Sequence, residues 1–503
     1  MLLLLIPGTL AAQGNLNTKL ESYVDKFNSQ DNEAVINKID NKSAAAWMKD
    51  NIPLFACPDS AIEETYYFRW WSYRKHIKET PEGTIVTEFI EPVSHAGKYN
   101  SISCALGHHI YEGRWLRNSD FLKEYVDFFL YHADEGETRP RFHQFSSWLP
   151  DALLAYHMVE DDEKYLLERL NDLDKDYLKW EEERQLPSGL FWQHDVKDGM
   201  EESVSGGRHV ENRRPTINSY MYANARALST MAKMAGNDSL KRNYDTKAAH
   251  LQTLLLDSLW DEKDSFFKTG LESGELHSAR EAIGFIPWGF YAVPDKRMYA
   301  EAWLQVIDTA GFKAPWGLTT AERREPTFRT RGSGHSCEWD GAIWPFASSQ
   351  TLRGMANFLA DYKQGKQITK ADFYEAVQQY AASHVMDGKA YIGEYQDEVT
   401  GFWLKGDNPR SKFYNHSTFA DVIIQDLVGF KPQLDNSFEL KPLIPEEQWD
   451  YFTLQGVPYK NKIVDLYWDA DGSKYGKGKG LTVYADGKRV AQSKKLKSIK
   501  VKL

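Results

Sequence analysis

The sequence predicts a mainly α fold, an (α/α)6 toroid followed by a small C-terminal β-sheet domain. Three observations lead there. Apolar residues recur at helical spacing across residues 94–430. Two long connections, 184–213 and 387–414, interrupt that run, and long connections inside a compact domain are usually functional. After Pro432 the apolar period drops from about 3.6 residues to 2.

Taken in order, Leu2 to Ile6 are apolar and precede Pro7-Gly8-Thr9-Leu10-Ala11-Ala12. Residues 1–12 are expected to be the remnant of a signal peptide, too short to span a bilayer. The protein is therefore expected to be exported, periplasmic or extracellular. Residues 13–43 are polar and are expected to form a leader lying on the main domain. Tyr66-Tyr67-Phe68-Arg69-Trp70-Trp71-Ser72-Tyr73-Arg74 is dense in aromatic and basic groups; it either lines the mouth of a pocket or packs across the toroid. Helices are predicted around Phe121–His132, Leu153–Met158, Leu166–Trp180, Ile217–Met231, Ala248–Leu259, Trp303–Ile307, Leu352–Leu359 and Phe373–Ala381. About ten to twelve helices in all, many beside a partner as αα-hairpins require, give a ring of six hairpins over residues 44–432. Residues 433–503 read as strands: Ile463, Leu466 and Trp468, then Leu481 and Val483, an Asp486-Gly487 turn, Val490, and Ile499, Val501 and Leu503.

The composition is that of an ordinary globular chain except for its aromatic content, 14% with 16 Trp. Aromatic faces stack on sugar rings, and they also fill large helical cores. A net charge of −11 argues against nucleic acid, whose binding needs Lys and Arg on phosphates. Cys57, Cys104 and Cys337 are three and far apart, so buried thiols are the first expectation and a Cys57–Cys104 bridge the alternative. No metal-ligand spacing, phosphate-binding glycine loop or Ser or Cys nucleophile motif occurs. No cofactor is expected, with a calcium ion on loop carbonyls left open.

Both long connections carry acidic residues beside glycine: Gly199-Met200-Glu201-Glu202-Ser203 and Gly393-Glu394-Tyr395-Gln396-Asp397-Glu398-Val399-Thr400-Gly401. Cleaving a glycosidic bond takes one carboxylic acid to protonate the leaving oxygen and one carboxylate to activate water or attack carbon. A solvated loop carboxylate is the plainer alternative for each.

In the same order along the chain, these segments resemble the motifs of a glycoside hydrolase clan, the one that contains family 63, the mannosylglycerate-type and processing glucosidases, and the trehalases. Gly199–Ser203 is similar to that family's Gly-Met-Asp-Asn-Ser, and Arg214-Pro215-Thr216-Ile217-Asn218-Ser219-Tyr220-Met221-Tyr222 to the helix that follows it. Trp339-Asp340-Gly341-Ala342-Ile343-Trp344-Pro345 resembles Trp-Arg-Gly-Pro-Ile-Trp-Pro, and Gly393–Gly401 resembles Glu-Asn-Tyr-Asp-Pro-Leu-Thr-Gly. The resemblance covers about residues 140–430. It implies Glu201 as general acid and Glu394 as general base of an inverting hydrolysis. Glu201 stands where the family has the shorter Asp, and Asp198 is its rival for the acid. Asp340 stands where the family has Arg, so sugar contacts there are expected to differ.

Candidate substrate contacts are Asp198, Trp192, Arg214, Asn218, Trp339, Trp344, Trp148, Trp71 and His416. Trp339 and Trp344 flank a glycine that permits close backbone approach. Arg214 offers a planar fork for a hydroxyl or carboxylate, or a plain salt bridge. His416 can bond sugar hydroxyls, while Asn415 or Ser417 beside it can simply cap a helix. The expected function is an exo-acting glycosidase on a terminal sugar, by resemblance α-linked glucose or mannose, working as a monomer. A polysaccharide lyase on the same toroid and a non-catalytic carbohydrate-binding protein are the alternatives.

Overall fold

Proline and tryptophan mark where the inner helices begin. Helices Leu149–Glu160, Pro215–Met234 and Pro345–Asp361 each carry Pro in the first two positions, where its fixed φ suits a helix and its missing N–H costs nothing. The computed structural model describes residues 7–133, 142–330, 337–364, 366–406 and 408–503; residues 1–6 of the expected signal segment lie outside these.

The helices fall into two kinds. Pro215–Met234 is buried on nearly every side, whereas its neighbour Asp238–Leu259 buries only Tyr244, Ala248, Leu251, Leu255 and Leu259, a single stripe. The two form a tight hairpin: Gly236 takes φ +68°, and Asn237 caps the second helix by accepting from the Leu240 N–H at 3.0 Å. Leu149–Glu160 and Leu170–Arg184 repeat the contrast, the latter burying only Leu170, Leu173, Tyr177 and Trp180. Pro345–Asp361 is likewise mostly buried, and Lys370–Ala382 starts at Thr369 with a reciprocal capping box to Asp372. Near Trp303 the predicted helix is instead a 3₁₀ turn, Glu301–Val306, after short pieces at Ile286–Gly289 and Arg297–Ala300. Pro287 and Pro294 cut that stretch too finely for longer helices.

The predicted leader is largely helical. Within Pro7–Gln30, Leu16, Leu20, Val24 and Phe27 are buried at helical spacing. Phe27 meets Phe68 edge-on at 5.4 Å between ring centroids. Phe68 and Trp71 lie on the helix Ser60–Lys75, which is buried almost throughout, so the aromatic-rich segment packs inside the molecule.

Two antiparallel sheets hold half of the strands among the described residues, and two-stranded pairs hold the rest. One has five, in the order Leu54–Ala56, Tyr451–Tyr459, Lys462–Asp469, Gly480–Ala485 and Lys488–Ser493. The other has three: Phe430–Pro432, Ser437–Leu440 and Ile499–Lys502. The first strand of the larger sheet comes from near the start of the chain, Leu54 pairing with Gln455. Lys500 and Lys502 face outward on either side of buried Val501, a guarded edge. One apolar cluster runs through helices and sheets alike. The Cys57–Cys104 bridge is not formed: all three cysteines are free and buried, with Cys57 bonded to the Asp59 carbonyl and Cys104 facing Glu88. Among the described residues no helix is long and apolar enough to cross a membrane.

Candidate active site

Connection 185–213 is pinned at its middle. Asp198 is fully buried and accepts from Arg214 Nε at 2.6 Å, from Thr216 Oγ1 and from Ser146 Oγ. A carboxylate so fully paired anchors the loop to the start of helix Pro215–Met234. Asn218, one turn into that helix, exchanges hydrogen bonds with the Phe191 backbone. Two residues beyond Asp198, Met200 plugs into the core, and Glu201 emerges into a cavity of about 560 Å³.

Glu394 reaches the same cavity from the other connection. Its segment is zipped to the Trp339–Trp344 loop by paired backbone bonds between Ile343 and Gln396, 3.0 and 2.9 Å. That loop in turn donates from Trp339 N–H to the Glu201 carbonyl at 3.3 Å. Trp339, Trp344 and Tyr395 stack face to face at 4.3 and 4.7 Å between centroids, and Trp344 forms part of the cavity wall. Gly393 is required here: a Cβ would lie 2.9 Å from Trp403 and 3.0 Å from Ser411 Oγ.

Three carboxyls therefore line one cavity: Glu88, Glu201 and Glu394. Burial pushes the Glu201 carboxyl up to about 7, helped by the charges of Glu394 and Asp195. Its carboxyl end is enclosed although the residue keeps some exposed surface. Glu88, 1% exposed, is pushed up to about 8 by burial, with Glu201 and Glu394 adding to the shift. Burial also raises Glu394, but Arg410 and Lys405 oppose it. Arg410 Nη2 donates to Glu394 Oε2 at 3.2 Å, with Nε 3.1 Å from Oε1. The cavity thus offers two carboxyls poised to hold a proton near neutrality beside a third, also raised by burial, whose rise a guanidinium opposes; acid–base cleavage of a glycoside requires such a difference between its carboxyls.

Of the sequence candidates, the structure brings Glu201, Glu394, Trp344 and His416 to the cavity wall, with Trp339 stacked behind Trp344. His416 is buried and neutral, its Nε2 bonded to no protein atom. Asp198, Arg214 and Asn218 are not on the wall, because they satisfy one another and the backbone. Trp192 lies under the Arg184 guanidinium at 4.5 Å. Trp148 is buried against Tyr220 at 4.7 Å. Trp71 donates to Asn28 of the N-terminal helix at 2.8 Å. Asp340, in the place of a family Arg, pairs with Arg329 at 2.6 Å. Sequence patterns missed Glu88, Arg410 and Tyr414, whose hydroxyl donates to Glu88. Arg410 sits in the long connection 387–414 already marked as functional, whereas Glu88 carries no local signal. Among the described residues no cluster of His, Cys, Asp and Glu could hold a metal ion.

Residues 98–417 match the family described as the mannosylglycerate hydrolase MGH1-like glycoside hydrolase domain. The chain belongs to that family. It also superimposes on a solved chain named sialidase, with 46% identity and TM-score 0.93, over 96% of its own length and 44% of the other's. It thus spans less than half of that relative. A GH63 mannosylglycerate hydrolase from Thermus thermophilus, solved with glucose, shares the fold at 13% identity and TM-score 0.53, covering 72% of this chain and 99% of that one. A GH78 rhamnosidase from a Bacillus species does so at 11% and 0.58, covering 83% and 40%.

Proposed function

We propose that the protein is an inverting, exo-acting glycoside hydrolase that releases a neutral terminal sugar, α-linked glucose or mannose. The observation that carries this is the convergence of Glu201 and Glu394 on one enclosed cavity. Glu201 gives its proton to the glycosidic oxygen as the C–O bond breaks. Glu394 takes a proton from the water that attacks the anomeric carbon from the opposite face, so the released sugar has inverted configuration. Trp344 provides a face for the ring, and His416 Nε2 a partner for a hydroxyl. The alternation of buried and one-sided helices supports the six-hairpin toroid, with the strands of 433–503 as an accessory β unit that also takes in Leu54–Ala56 and Phe430–Pro432.

A neutral sugar is favoured on electrostatic grounds. Glu394 and the ionised fraction of Glu201 would repel a carboxylated sugar, Glu88 holds a proton and offers no charge to pair with one, and of the cations lining the cavity Arg410 is engaged by Glu394, Arg208 by Glu202 and Lys197 by Gln144. The same consideration weighs against a lyase, which must bind a uronate carboxylate, and against sialic acid as the sugar at this cavity. A screen of aryl α-glycosides and oligosaccharides, with the first-formed anomer followed by NMR, tests the proposal. Release of the opposite anomer is expected; retention, or an unsaturated ultraviolet-absorbing product, refutes it. Sugar binding without turnover, unchanged in Glu201→Gln and Glu394→Gln, identifies a binding protein instead.

A further inference from the structure

We propose that Arg410, Ser411 and Lys412 form a clamp that positions Glu394, and that the N-terminal leader fastens this clamp from outside through Asp31. The inference rests on Glu394 being the general base.

Three consecutive residues act in three directions. Arg410 donates from Nη2 to Glu394 Oε2, while its Nε lies 3.1 Å from Oε1 as an ion pair and leaves that oxygen without a hydrogen bond from the protein. Ser411 Oγ accepts from the Glu394 backbone N–H at 3.0 Å, across the gap that Gly393 leaves open. Side chain and main chain of one residue are thus gripped by neighbours on a single loop. Lys412 turns away and donates to Asp31 Oδ1 at 2.8 Å and to Asn32 Oδ1 at 3.2 Å. Asp31 is no casual surface partner: its side chain is 3% exposed, and its other oxygen lies 2.8 Å from Lys75 Nζ and 3.0 Å from Asn41 Nδ2. Burial alone would raise the Asp31 carboxyl, but the bonds from Lys412, Lys75 and Asn41 hold it below the usual carboxylate range. The loop is tied down again one residue later, where His76 bonds the Phe413 carbonyl at 2.7 Å.

A carboxylate buried among other acids loses its charge unless a cation stays in place, and a long arginine on a loop stays only if the loop is held. Facing Glu394 are Arg410 and Lys405 as cations, Glu88 and Glu201 as competing acids, and Cys337 and Tyr414 as neutral groups. Arg410 is the cation that touches it. Anchoring Lys412 on the leader therefore sets how firmly the base is kept ionised, although Asp31 touches no substrate.

The test titrates Glu394 directly, by NMR of the ¹³C-glutamate-labelled full chain with the resonance assigned from Glu394→Gln, alongside the pH dependence of kcat/KM. Arg410→Gln is expected to raise the Glu394 midpoint by about one unit or more and to move the acid limb of activity upward equally. Arg410→Lys should restore part of the shift. Lys412→Met leaves Asp31 paired with Lys75, so folding is preserved; it should shift the midpoint the same way by several tenths of a unit. Asp31→Asn should match it wherever that variant folds. An unmoved midpoint in Arg410→Gln overturns the clamp, and a shift there but none in Lys412→Met overturns the role of the leader. Full activity in Glu394→Gln would instead remove the base assignment, while the carboxyl titration still reports on the clamp.

Discussion

Two buried groups of acids in this molecule receive opposite treatment. Around Asp421 and Asp426 every carboxylate is matched: Arg114 reaches Asp421 at 2.8 Å, Trp115 Nε1 at 2.7 Å, Arg353 bridges Asp421 and Asp426, and Lys431 completes Asp426 at 3.0 Å. Burial would raise Asp421, yet Arg114 and Arg353 hold it below its ordinary value. In the cavity Arg410 is, among the described residues, the one cation seated on an acid of the three, with Lys405 and Arg208 acting from farther off, and Glu88 and Glu201 are pushed up to about 8 and about 7. Compensated charge locks helices together; uncompensated charge is a store of protons at a place where something is done with them.

The largest effects should come from removing the cavity acids without disturbing the fold. Glu394→Gln and Glu201→Gln are each expected to lower kcat by about 10²- to 10⁴-fold with an unchanged circular dichroism spectrum. Loss of the helical signal instead would make these acids structural, like Asp421. Asp421→Asn should do the reverse, leaving Arg114 and Arg353 short of a buried partner at a cost of about 3–5 kcal/mol, read as a lower thermal midpoint.

A pH series separates the two regions further. Glu88 and Glu201 bind protons more tightly folded than unfolded, so their contribution to stability falls as pH rises from about 4.5 through about 7 and 8. Glu88→Gln should therefore gain several degrees of Tm at pH 8 relative to wild type and little at pH 5. The deficit of Asp421→Asn should be largest above the unfolded Asp pKa of about 3.9 and shrink below it. Activity should decline as pH rises through about 7, where Glu201 loses its proton. The smallest effect is expected at the rim: Arg208, 46% exposed and paired with Glu202, should change kcat/KM by less than about threefold on replacement by Ala.

Much of this was legible beforehand, for identifiable reasons. Tyr244, Ala248, Leu251, Leu255 and Leu259 announce an amphipathic helix by spacing alone. Glu201 and Glu394 stand in motifs. What spacing cannot show is which acid a distant cation consumes: Asp198 and Glu201 look alike until Arg214 arrives to neutralise the first. Tyr451–Tyr459 went unseen because Gly456 and Pro458 interrupt its alternation where the register shifts between Leu454 and Val457. Glu88 was hidden because its partner Tyr414 lies far away in the chain, whereas Arg410 lies in the same connection as Glu394 and lacked only a motif to single it out.

The strand Leu54–Ala56 has a consequence for biogenesis. Its partner strand is made roughly 400 residues later, so during synthesis it must wait with its backbone unpaired until residues 451–459 have emerged. This sheet thus ties an early segment to a late one, and a ribosome stalled before residue 451 would release a product in which it cannot form.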